Sequence, residues 1–257
     1  MEQIDIEEII AITHSAGKAI LEIYHNEELF QIVDYKSDDS PLTLADKKSH
    51  EIIAGKLNNL YPEIPVLSEE GRNIPYSTRK DWSLFWLVDP LDGTKEFIKR
   101  NGEFTINIAL IENELPMLGV IYTPVTEVTY FASKGQGAFQ MKGNEKVRID
   151  GPVRKDDGLV AVRSRSHASP EEEDIFKRFS VTDFVSVGSS LKFCMVAEGK
   201  ADLYYRHGPT MEWDTAAGQA IVEEAGCTMI SMETQEQFRY NKENLLNPGF
   251  LVKPKDL

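Results

Sequence analysis

Residues Trp86–Phe97 read Trp-Leu-Val-Asp-Pro-Leu-Asp-Gly-Thr-Lys-Glu-Phe, and the rest of the chain is organised around this stretch. The apolar run from Leu84 to Val88 leads into it and predicts a buried strand. Pro90 has no amide hydrogen and keeps the preceding residue out of helical conformations, so the strand should end at Asp89. The sequence therefore predicts a carboxylate at the end of a buried strand.

The second half of the stretch predicts a turn followed by a short helix. Asp92 and Gly93 should turn the chain, and Thr94 to Ile98 should form a helix that the chain enters at its amide end. The first amides of a helix have no partner inside it, so they favour an anion. Carboxylates that bind hard cations thus lie beside amides suited to phosphate, and this combination indicates metal-assisted phosphate chemistry.

Two other interpretations compete for the same residues. Asp-Gly between apolar runs also favours a type I′ hairpin turn without any chemical role. An Asp-x-Asp-x-Thr loop would indicate an aspartyl-phosphate phosphatase with a nucleophilic first Asp. Here two residues separate Asp89 from Asp92, and the stretch lies far from the N-terminus. The second interpretation is therefore the weaker one.

Composition limits the classes of partner. The chain has 257 residues, enough for one large domain or two modest halves. Its formal net charge of −14 argues against a nucleic-acid polymer, because phosphate backbones require a basic surface. A small phosphorylated ligand remains compatible, since divalent cations concentrated by the acidic field would accompany it into a cleft.

Cysteine usage and the first residues predict a soluble cytoplasmic protein. Cys194 and Cys227 are the two cysteines and form no Cys-x-x-Cys pair, so we expect buried thiols rather than a disulfide framework or a zinc site. The acidic start of the chain lacks the basic and apolar regions of a signal peptide. No apolar run is long enough to span a bilayer.

The first half predicts an α+β unit. Residues 5–25 have apolar positions at helical spacing, and Thr43 should cap a second helix that runs to Leu60, with Asp46 in its first turn. Residues 35–41 should form a loop, and residues 65–71 a short strand that ends in paired acids. Five alternating runs then predict an antiparallel meander: residues 104–111, 118–122, 128–132, 137–141 and 147–149.

The second half alternates strand and helix, which predicts crossover units and a largely parallel sheet. The expected strands are residues 159–162, 184–187, 201–205 and 227–230, and the expected helices begin at Ser169, Ser190 and Asp214. We place the boundary between 1–155, an N-terminal subdomain with the metal-binding loop, and 156–257, a C-terminal subdomain that completes the metal site and substrate pocket.

Four acids lie at the ends of predicted elements, and together they suggest one site. They are Glu69, Asp89, Asp92 and Asp214. Asp214 alone is better interpreted as a helix N-cap, and Asp46 is equally well interpreted as a helix-end carboxylate. Small residues at 216, 217, 218 and 220 would let the helix after Asp214 approach another backbone closely. If the acids converge, bound cations must relieve their repulsion, and oxygen-only ligation favours Mg²⁺ or Mn²⁺ over zinc.

Three motifs resemble those of the inositol monophosphatase superfamily of Li⁺-sensitive, Mg²⁺-dependent phosphatases. They are Ser68-Glu69-Glu70-Gly71, the stretch Trp86–Phe97 and Trp213-Asp214-Thr215-Ala216-Ala217-Gly218. Within that superfamily, residues 96–105 and 188–194 are similar to the bacterial 3′(2′),5′-bisphosphate nucleotidases. The similarity extends from the first helix to Phe250.

The resemblance implies a layered α/β/α/β/α sandwich, with an antiparallel sheet in the N-terminal half and a largely parallel one in the C-terminal half. It implies hydrolysis of 3′-phosphoadenosine 5′-phosphate, and of its 5′-phosphosulfate analogue as a further candidate substrate, in sulfur metabolism. It also implies two to three Mg²⁺ ions, with Mn²⁺ as a substitute and Li⁺ as an inhibitor, and peripheral attachment to the cytoplasmic side of the inner membrane as an option. The oligomeric state stays open.

Residue roles carried over from the family fall into three groups. The implied metal ligands are Glu69, Asp89, the Leu91 carbonyl, Asp92 and Asp214, with a third ion near Glu69 and Asp46. The implied catalytic residues are Thr94, Asp46 and Glu69, with Thr94 positioning the attacking water. The implied substrate contacts are Leu91, Asp92, Gly93, Thr94, His167, Ser189, Lys192, Arg206 and Asp214.

Two alternative functions remain. One is an inositol- or sugar-phosphate phosphatase with the same metal core, because Lys192 and Arg206 are equally well interpreted as solvent-facing charges. The other is a protein that only binds divalent cations. Thr94 and Asp46 disfavour the latter, since a cation buffer needs ligands but no hydroxyl that orients water.

Overall fold

The computed structural model describes residues 4–35, 41–71, 74–153, 158–165 and 171–257. The helices in these ranges are α1 Ile6–Tyr24, α2 Glu27–Phe30, α3 Leu44–Leu60, α4 Tyr76–Arg79, α5 Thr94–Ile98, α6 Glu171–Arg178, α7 Leu191–Ala197 and α8 Ala216–Glu224, with a 3₁₀ helix at Glu212–Asp214. The strands of the first half are β1 Val33–Tyr35, β2 Pro41–Thr43, β3 Val66–Ser68, β4 Leu84–Asp92, β5 Thr105–Glu112, β6 Leu115–Thr123, β7 Val128–Ser133, β8 Gly137–Lys142 and β9 Glu145–Ile149. Those of the second half are β10 Leu159–Ser164, β11 Val181–Val187, β12 Leu203–Arg206, β13 Thr210–Met211, β14 Cys227–Ser231, β15 Leu246–Asn247 and β16 Phe250–Pro254.

The two long N-terminal helices begin at strong caps. Asp5 accepts from the Glu7 amide at the start of α1, and Thr43 and Asp46 form a reciprocal capping box at the start of α3. The apolar stripe of α1, from Ile9 to Ile23, is buried. Both helices therefore pack their apolar faces onto one side of the larger sheet.

Seven strands form that sheet in the order β3-β4-β5-β6-β7-β8-β9. Strands β4 to β9 pair antiparallel in sequence order, so the predicted meander is confirmed. Strand β3 joins β4 in parallel, with Ser68 beside Val88. The carboxyl ends of β3 and β4 consequently lie side by side, which matters for the site described below.

Five strands form the second sheet in the order β11-β10-β12-β16-β14. Strand β10 pairs in parallel with β11 and β12, and β16 pairs antiparallel with β12 and β14. Four of the strands thus run in one direction, as the sequence predicted for this half. The sequence analysis missed β16, which inserts in the opposite direction between β12 and β14.

The layers follow from three apolar clusters. One fills the space between the α1–α3 layer and the larger sheet, and a second fills the space between the other face of that sheet, α7, α8 and the smaller sheet. The third joins the outer face of the smaller sheet to α6, through Phe176 and Tyr205. The order helices, sheet, helices, sheet, helix confirms the predicted five-layer α/β/α/β/α sandwich.

Two local predictions differ from the structure, and a third is not tested by it. Tyr35 and Pro41 end and begin short antiparallel strands, so the loop predicted for 35–41 is narrower, and residues 36–40 lie outside the described ranges. The helix predicted to begin at Asp214 is wrong, because Asp214 ends a 3₁₀ turn and α8 begins after Thr215. The domain boundary between 155 and 156 falls inside residues 154–157, outside the described part, and stays a prediction.

Two other expectations concern the thiols and the membrane. Cys194 and Cys227 are both free and buried, as predicted. Within the described residues, no helix combines the length and apolar character that crossing a bilayer would need.

Candidate active site

The stretch Trp86–Phe97 forms the floor of the site through an irregularity in β4. Asp89 lies opposite Asn107 on β5 and Asp92 lies opposite Thr105, so β4 holds one extra residue between these pairs. Such a bulge suits Pro90, which has no amide to donate to the ladder. The predicted strand end at Asp89 is therefore wrong. Pairing resumes beyond the bulge, and this directs Asp89 and Asp92 towards the same side.

Gly93 makes the turn that follows, and α5 begins at Thr94 as predicted. Gly93 has a φ of +92°, and an added Cβ would lie 3.1 Å from both the Glu103 carbonyl oxygen and the Ser189 Cβ. Glycine is therefore required by its conformation and by the space available. The chain enters α5 rather than a two-residue hairpin, so the type I′ interpretation is wrong.

Three acids from separate segments converge above this floor. The parallel register of β3 and β4 brings Glu69 beside Asp89, and the Glu69 amide donates to the Val88 carbonyl over 3.1 Å. The 3₁₀ turn brings in Asp214. One carboxylate oxygen from each of Glu69, Asp89 and Asp214 lies within 4.8 Å of the other two. That spacing suits three ligands around a common cation.

Asp214 is held by its own turn rather than by a helix start. Its Oδ2 accepts from the Met211 amide over 2.7 Å. The N-cap prediction for Asp214 is therefore wrong, because Thr215 occupies that position at the start of α8. The prediction about small residues holds, since an added Cβ at Gly119 of β6 would lie 2.5 Å from the Ala217 carbonyl oxygen.

Asp92 joins the cluster through Ser190. The Ser190 Oγ lies 2.6 Å from Asp92 Oδ2 and 3.1 Å from the Asp214 carbonyl oxygen, and Asn107 Nδ2 donates to the same Oγ over 2.9 Å. Sequence analysis gave neither Ser190 nor Asn107 a role. A polar residue inside the apolar alternation of β5 was the available signal for Asn107.

Burial and mutual repulsion make this cluster electrostatically unfavourable without a cation. Burial raises the pKa of Asp89 well above its ordinary value, and the charges of Glu69, Asp92 and Asp214 raise it further. Burial likewise raises the pKa of Asp214, followed by the charges of Asp92 and Glu69. The donor set consists of oxygens alone, and the repulsion would be relieved by a hard dication, so the residues present fit Mg²⁺.

A hydroxyl–carboxylate pair lies next to the acids. Thr94 Oγ1 donates to Asp46 Oδ1 over 3.1 Å, and the Thr43 amide and hydroxyl both donate to Asp46 Oδ2, over 2.7 and 2.5 Å. Asp46 is 2% exposed. Burial raises its pKa to about 6, and its hydrogen bonds to Thr43 oppose that rise. The cap of α3 therefore also fixes the partner of Thr94.

Leu91 and its neighbours complete the floor. The Leu91 amide donates to Asp89 Oδ1 over 3.0 Å, and the Leu91 carbonyl oxygen lies 3.5 Å from Thr94 Oγ1. Ser49 Oγ donates to the Pro90 carbonyl over 2.7 Å, which holds α3 against the bulge. The Leu91 carbonyl thus lies near Thr94, and its role as a metal ligand stays a prediction.

A cavity of about 270 Å³ opens above these groups. Its lining includes Glu69, Asp92, Thr94 and Asp214. It also includes basic, hydroxyl and aromatic side chains: Ser189, Ser190, Lys192, Tyr204, Arg206 and Phe250. Of the predicted substrate contacts, only His167 lies outside the described residues.

Lys192 and Arg206 bring positive charge into the cavity from buried positions. Their exposed fractions are 6% and 9%, so the interpretation as solvent-facing charges is wrong. Lys192 Nζ donates to the Ser189 carbonyl. Burial lowers the pKa of Lys192 to about 8, although the charge of Asp92 opposes the change. Within the described part of the chain, the buried Ser189 Oγ has no hydrogen-bond partner.

Comparison with known sequences gives full-length matches. The sequence profile of the inositol monophosphatase family matches residues 2–255. The chain is 45% identical to 3′(2′),5′-bisphosphate nucleotidase CysQ of Salmonella typhimurium strain LT2 over 247 residues, which is 96% of this chain and 98% of that protein. It is 44% identical to the protein of the same name from Escherichia coli K12, with the same coverage.

Comparison with solved structures agrees. The crystal structure of CysQ from Bacteroides thetaiotaomicron, a bacterial member of the inositol monophosphatase family, matches with a TM-score of 0.85 and 46% identity over 97% of this chain and 96% of that one. The extragenic suppressor protein suhB of Bartonella henselae has the same fold, with a TM-score of 0.79 and 24% identity over 97% and 93% of the two chains. The resemblance found in the motifs is thereby confirmed, and the chain belongs to the inositol monophosphatase family.

Proposed function

We propose that this protein is a Mg²⁺-dependent 3′(2′),5′-bisphosphate nucleotidase that hydrolyses 3′-phosphoadenosine 5′-phosphate to AMP and phosphate. The observation that carries the proposal is the convergence of Glu69, Asp89 and Asp214 beside the Thr94–Asp46 pair. A protein that only bound cations would need the acids but not the oriented hydroxyl. The substrate is suggested by relatives at 44–45% identity that are named for this activity.

The acids would hold the metal in two overlapping sets. Glu69, Asp89 and the Leu91 carbonyl would bind one Mg²⁺, and Asp89, Asp92 and Asp214 a second. A third ion would lie near Glu69 and Asp46, with Mn²⁺ as a substitute and Li⁺ as an inhibitor. Bound Mg²⁺ would supply neutralisation of phosphate charge and a lowered pKa for a coordinated water.

Thr94 would orient the attacking water. Its hydroxyl proton is committed to Asp46, so its lone pairs can accept from a water molecule and fix the direction of that water. Asp46 cannot rotate away, because Thr43 holds its other oxygen through two hydrogen bonds. The water oxygen forms a bond to phosphorus as the bond to the ribose 3′ oxygen breaks, and the released 3′ oxygen takes up a proton.

Glu69, as the third proposed catalytic residue, would act on the same water. It directly follows β3 and lines the same cavity as Thr94. A carboxylate there can accept the proton that the water loses on attack. Glu69 and Thr94 would then flank the attacking oxygen.

The two phosphates would be bound by different parts of the cavity. The amides of Gly93 and Thr94 would hold the phosphate that is cleaved, beside the acids. Lys192 and Arg206 would hold the phosphate that remains, because they are buried cations that line the same cavity as the acids. Ser189 Oγ lines this cavity too and would donate to the nucleotide. A cavity that has two cations besides the acids suits a bisphosphate better than a monophosphate.

One assay separates this proposal from the alternative of an inositol- or sugar-phosphate phosphatase. Phosphate release from 3′-phosphoadenosine 5′-phosphate, from its 5′-phosphosulfate analogue and from inositol 1-phosphate is measured with Mg²⁺, without metal and with added Li⁺. We expect a much higher kcat/KM for the nucleotide bisphosphate, dependence on Mg²⁺ and inhibition by Li⁺. A preference for inositol 1-phosphate would support the alternative. The absence of phosphate release from all substrates would contradict both. The proposed setting is sulfur metabolism in the cytoplasm.

A further inference from the structure

Asp214 lies in a 3₁₀ helix of only three residues. It ends a single 3₁₀ turn, and its side chain is fixed within that turn by the Met211 amide. The strand before it, β13, has two residues and pairs with β15. Neither element is long enough to fix a ligand by itself. The position of Asp214 therefore depends on what holds this turn from outside.

An ion pair between the buried Glu212 and Lys242, whose side chain is 31% exposed, holds the turn against residues 239–247, a loop that ends in β15. Lys242 Nζ donates to Glu212 Oε1 over 2.6 Å, and the Glu212 side chain is fully buried. The amides of Asn241 and Lys242 donate to the two oxygens of the same carboxylate, over 2.7 and 2.9 Å. Glu212 begins the 3₁₀ turn that Asp214 ends. Its carboxylate thus ties that turn to the loop.

Asn247 extends the connection to Asp214. Its Oδ1 accepts from Lys242 Nζ over 3.0 Å, and its Nδ2 donates to the Met211 carbonyl over 2.8 Å and lies 3.1 Å from Thr215 Oγ1. Met211 is the residue whose amide donates to Asp214 Oδ2. One ammonium group therefore contacts side chains that fix the chain immediately before and after Asp214.

Arg79 anchors the loop to the N-terminal half. It is 2% exposed. Its guanidinium donates to Asn241 Oδ1 over 2.9 Å and to the carbonyl oxygens of Lys242 and Glu243 over 2.6 and 2.8 Å. Arg79 ends α4, in the segment that follows Glu69. The loop therefore joins the segment that carries Asp214 to the segment that carries Glu69.

We propose that Lys242, acting through Glu212 and Asn247, is a positioning residue that sets the Asp214 carboxylate for metal binding. The inference rests on the proposed function, because it assumes a metal centre at Glu69, Asp89 and Asp214. Stability alone does not require a carboxylate at the buried Glu212 position, since well-packed apolar residues of similar volume often stabilise a fold equally well. A hydrogen-bond network of this kind fixes the orientation of a side chain, and a metal ligand needs a fixed orientation.

The test measures metal binding directly, without turnover. Mn²⁺ is titrated into the metal-free protein and free Mn²⁺ is followed by electron paramagnetic resonance. Asp214→Asn identifies the ion whose binding needs Asp214. We expect Lys242→Met to weaken that same ion about 10- to 100-fold, as loss of outer ligand-orienting groups does. The other Mn²⁺ ions should bind with unchanged affinity.

Two further variants separate positioning from folding. Lys242→Met leaves a buried carboxylate without its cation, so the double variant Glu212→Gln/Lys242→Met provides a form without that charge. Arg239→Met is the matched control, because Arg239 lies in the same loop and forms an exposed ion pair with Glu114. It should bind Mn²⁺ as the unaltered protein does. Melting temperatures measured with EDTA show how much each substitution lowers the stability of the metal-free protein, so that this loss can be compared with the change in Mn²⁺ affinity.

The possible results separate the positioning role of Lys242 from the proposed metal-dependent function. Weaker binding of the Asp214-dependent ion in the folded double variant, with the control unchanged, supports the positioning role. Wild-type affinity in that double variant overturns it, whatever its melting temperature. If the unaltered protein binds no Mn²⁺, the metal centre of the proposed function is wrong, and the positioning role is lost with it.

Discussion

Thr94 and Asp46 belong to different helices, yet Thr94 Oγ1 donates to Asp46 Oδ1 over 3.1 Å. The pair exists because the same Asp46 carboxylate closes the capping box of α3 and faces the first residue of α5. A feature that is ordinarily only a helix start thus doubles as the support for a hydroxyl beside the acids.

Thr94→Ala should lower kcat by about 10²–10⁴-fold, because the water would lose the group that orients it. Metal binding should be unchanged, since Thr94 contributes no carboxylate. Thr94→Ser keeps the hydroxyl and serves as the control. The measurement is kcat at saturating Mg²⁺ together with a Mn²⁺ titration. Unchanged turnover in Thr94→Ala would remove Thr94 from the mechanism.

Asp89→Asn should abolish activity and raise the stability of the metal-free protein. Asp89 is 1% exposed, and burial with the charges of Glu69, Asp92 and Asp214 disfavours its ionised form. The amide removes that repulsion, and each 1 kcal/mol gained should raise the melting temperature by about 2–4 °C in a chain of this size. The measurement is thermal unfolding with EDTA and with Mg²⁺. Mg²⁺ should stabilise the unaltered protein much more than the variant, and substantial activity of Asp89→Asn would contradict the assignment.

Lys192→Ala should impair the bisphosphate selectively. Lys192 is a buried cation that lines the cavity, so its loss should raise KM for 3′-phosphoadenosine 5′-phosphate about 10-fold or more, as for a charge-assisted hydrogen bond of about 1.5–3 kcal/mol. A simple phosphate monoester that reaches only the acids provides the comparison. Equal effects on both substrates would show that Lys192 does not bind the remaining phosphate.

The pH dependence of bisphosphate hydrolysis should reveal the same lysine. Burial lowers the pKa of Lys192 to about 8, so the ammonium is charged below that pH and loses its proton as the pH rises through it. The kcat/KM for the bisphosphate reports the free enzyme and should therefore fall above about pH 8. Lys192→Arg stays charged at alkaline pH and should remove this decline. A decline identical in both proteins would assign it to another group.

Gly119→Ala should destabilise the protein by about 1–3 kcal/mol, the usual range for overpacking. A Cβ at Gly119 would lie 2.5 Å from the Ala217 carbonyl oxygen, so α8 would have to move away from β6. The turn with Asp214 precedes α8, and Mn²⁺ affinity should fall as well. Gly55→Ala in α3 is the control, since nothing lies within 4 Å of its added Cβ, and it should be neutral or stabilising. Denaturant unfolding measures both variants.

Local sequence patterns were enough to predict most of the helices and strands and to identify the four acids. The caps at Asp5 and Thr43 and the alternation in β5 to β9 act within a few residues, so the sequence displays them directly. The four acids were predictable because each lies at the end of an element that the sequence predicts. Their convergence could be inferred only from the family resemblance.

The missed features depend on distant partners. Strand β16 is defined by β12 and β14 on its two sides, and nothing in Phe250–Pro254 indicates its direction. Ser190 acquires its place from Asp92 and from Asp214, far away in the chain. The 3₁₀ turn that begins at Glu212 is bound by the amides of Asn241 and Lys242, which lie about 30 residues further along the chain. Contacts between residues that are far apart in the chain produce no local periodicity, so they could not be predicted from the sequence pattern.

The interior place of β16 also has a consequence for synthesis on the ribosome. The larger sheet ends at Ile149 and can assemble while later residues are still being added, since nascent chains fold from the N-terminal side. The smaller sheet cannot close until Pro254 has emerged, and β15, which pairs beside the Asp214 turn, emerges only shortly before. In a growing chain, Asp89 and Asp92 should therefore already lie in a folded sheet before Asp214 is fixed beside them. It should acquire high affinity for divalent cations only after the smaller sheet has closed and β15 has paired beside the Asp214 turn.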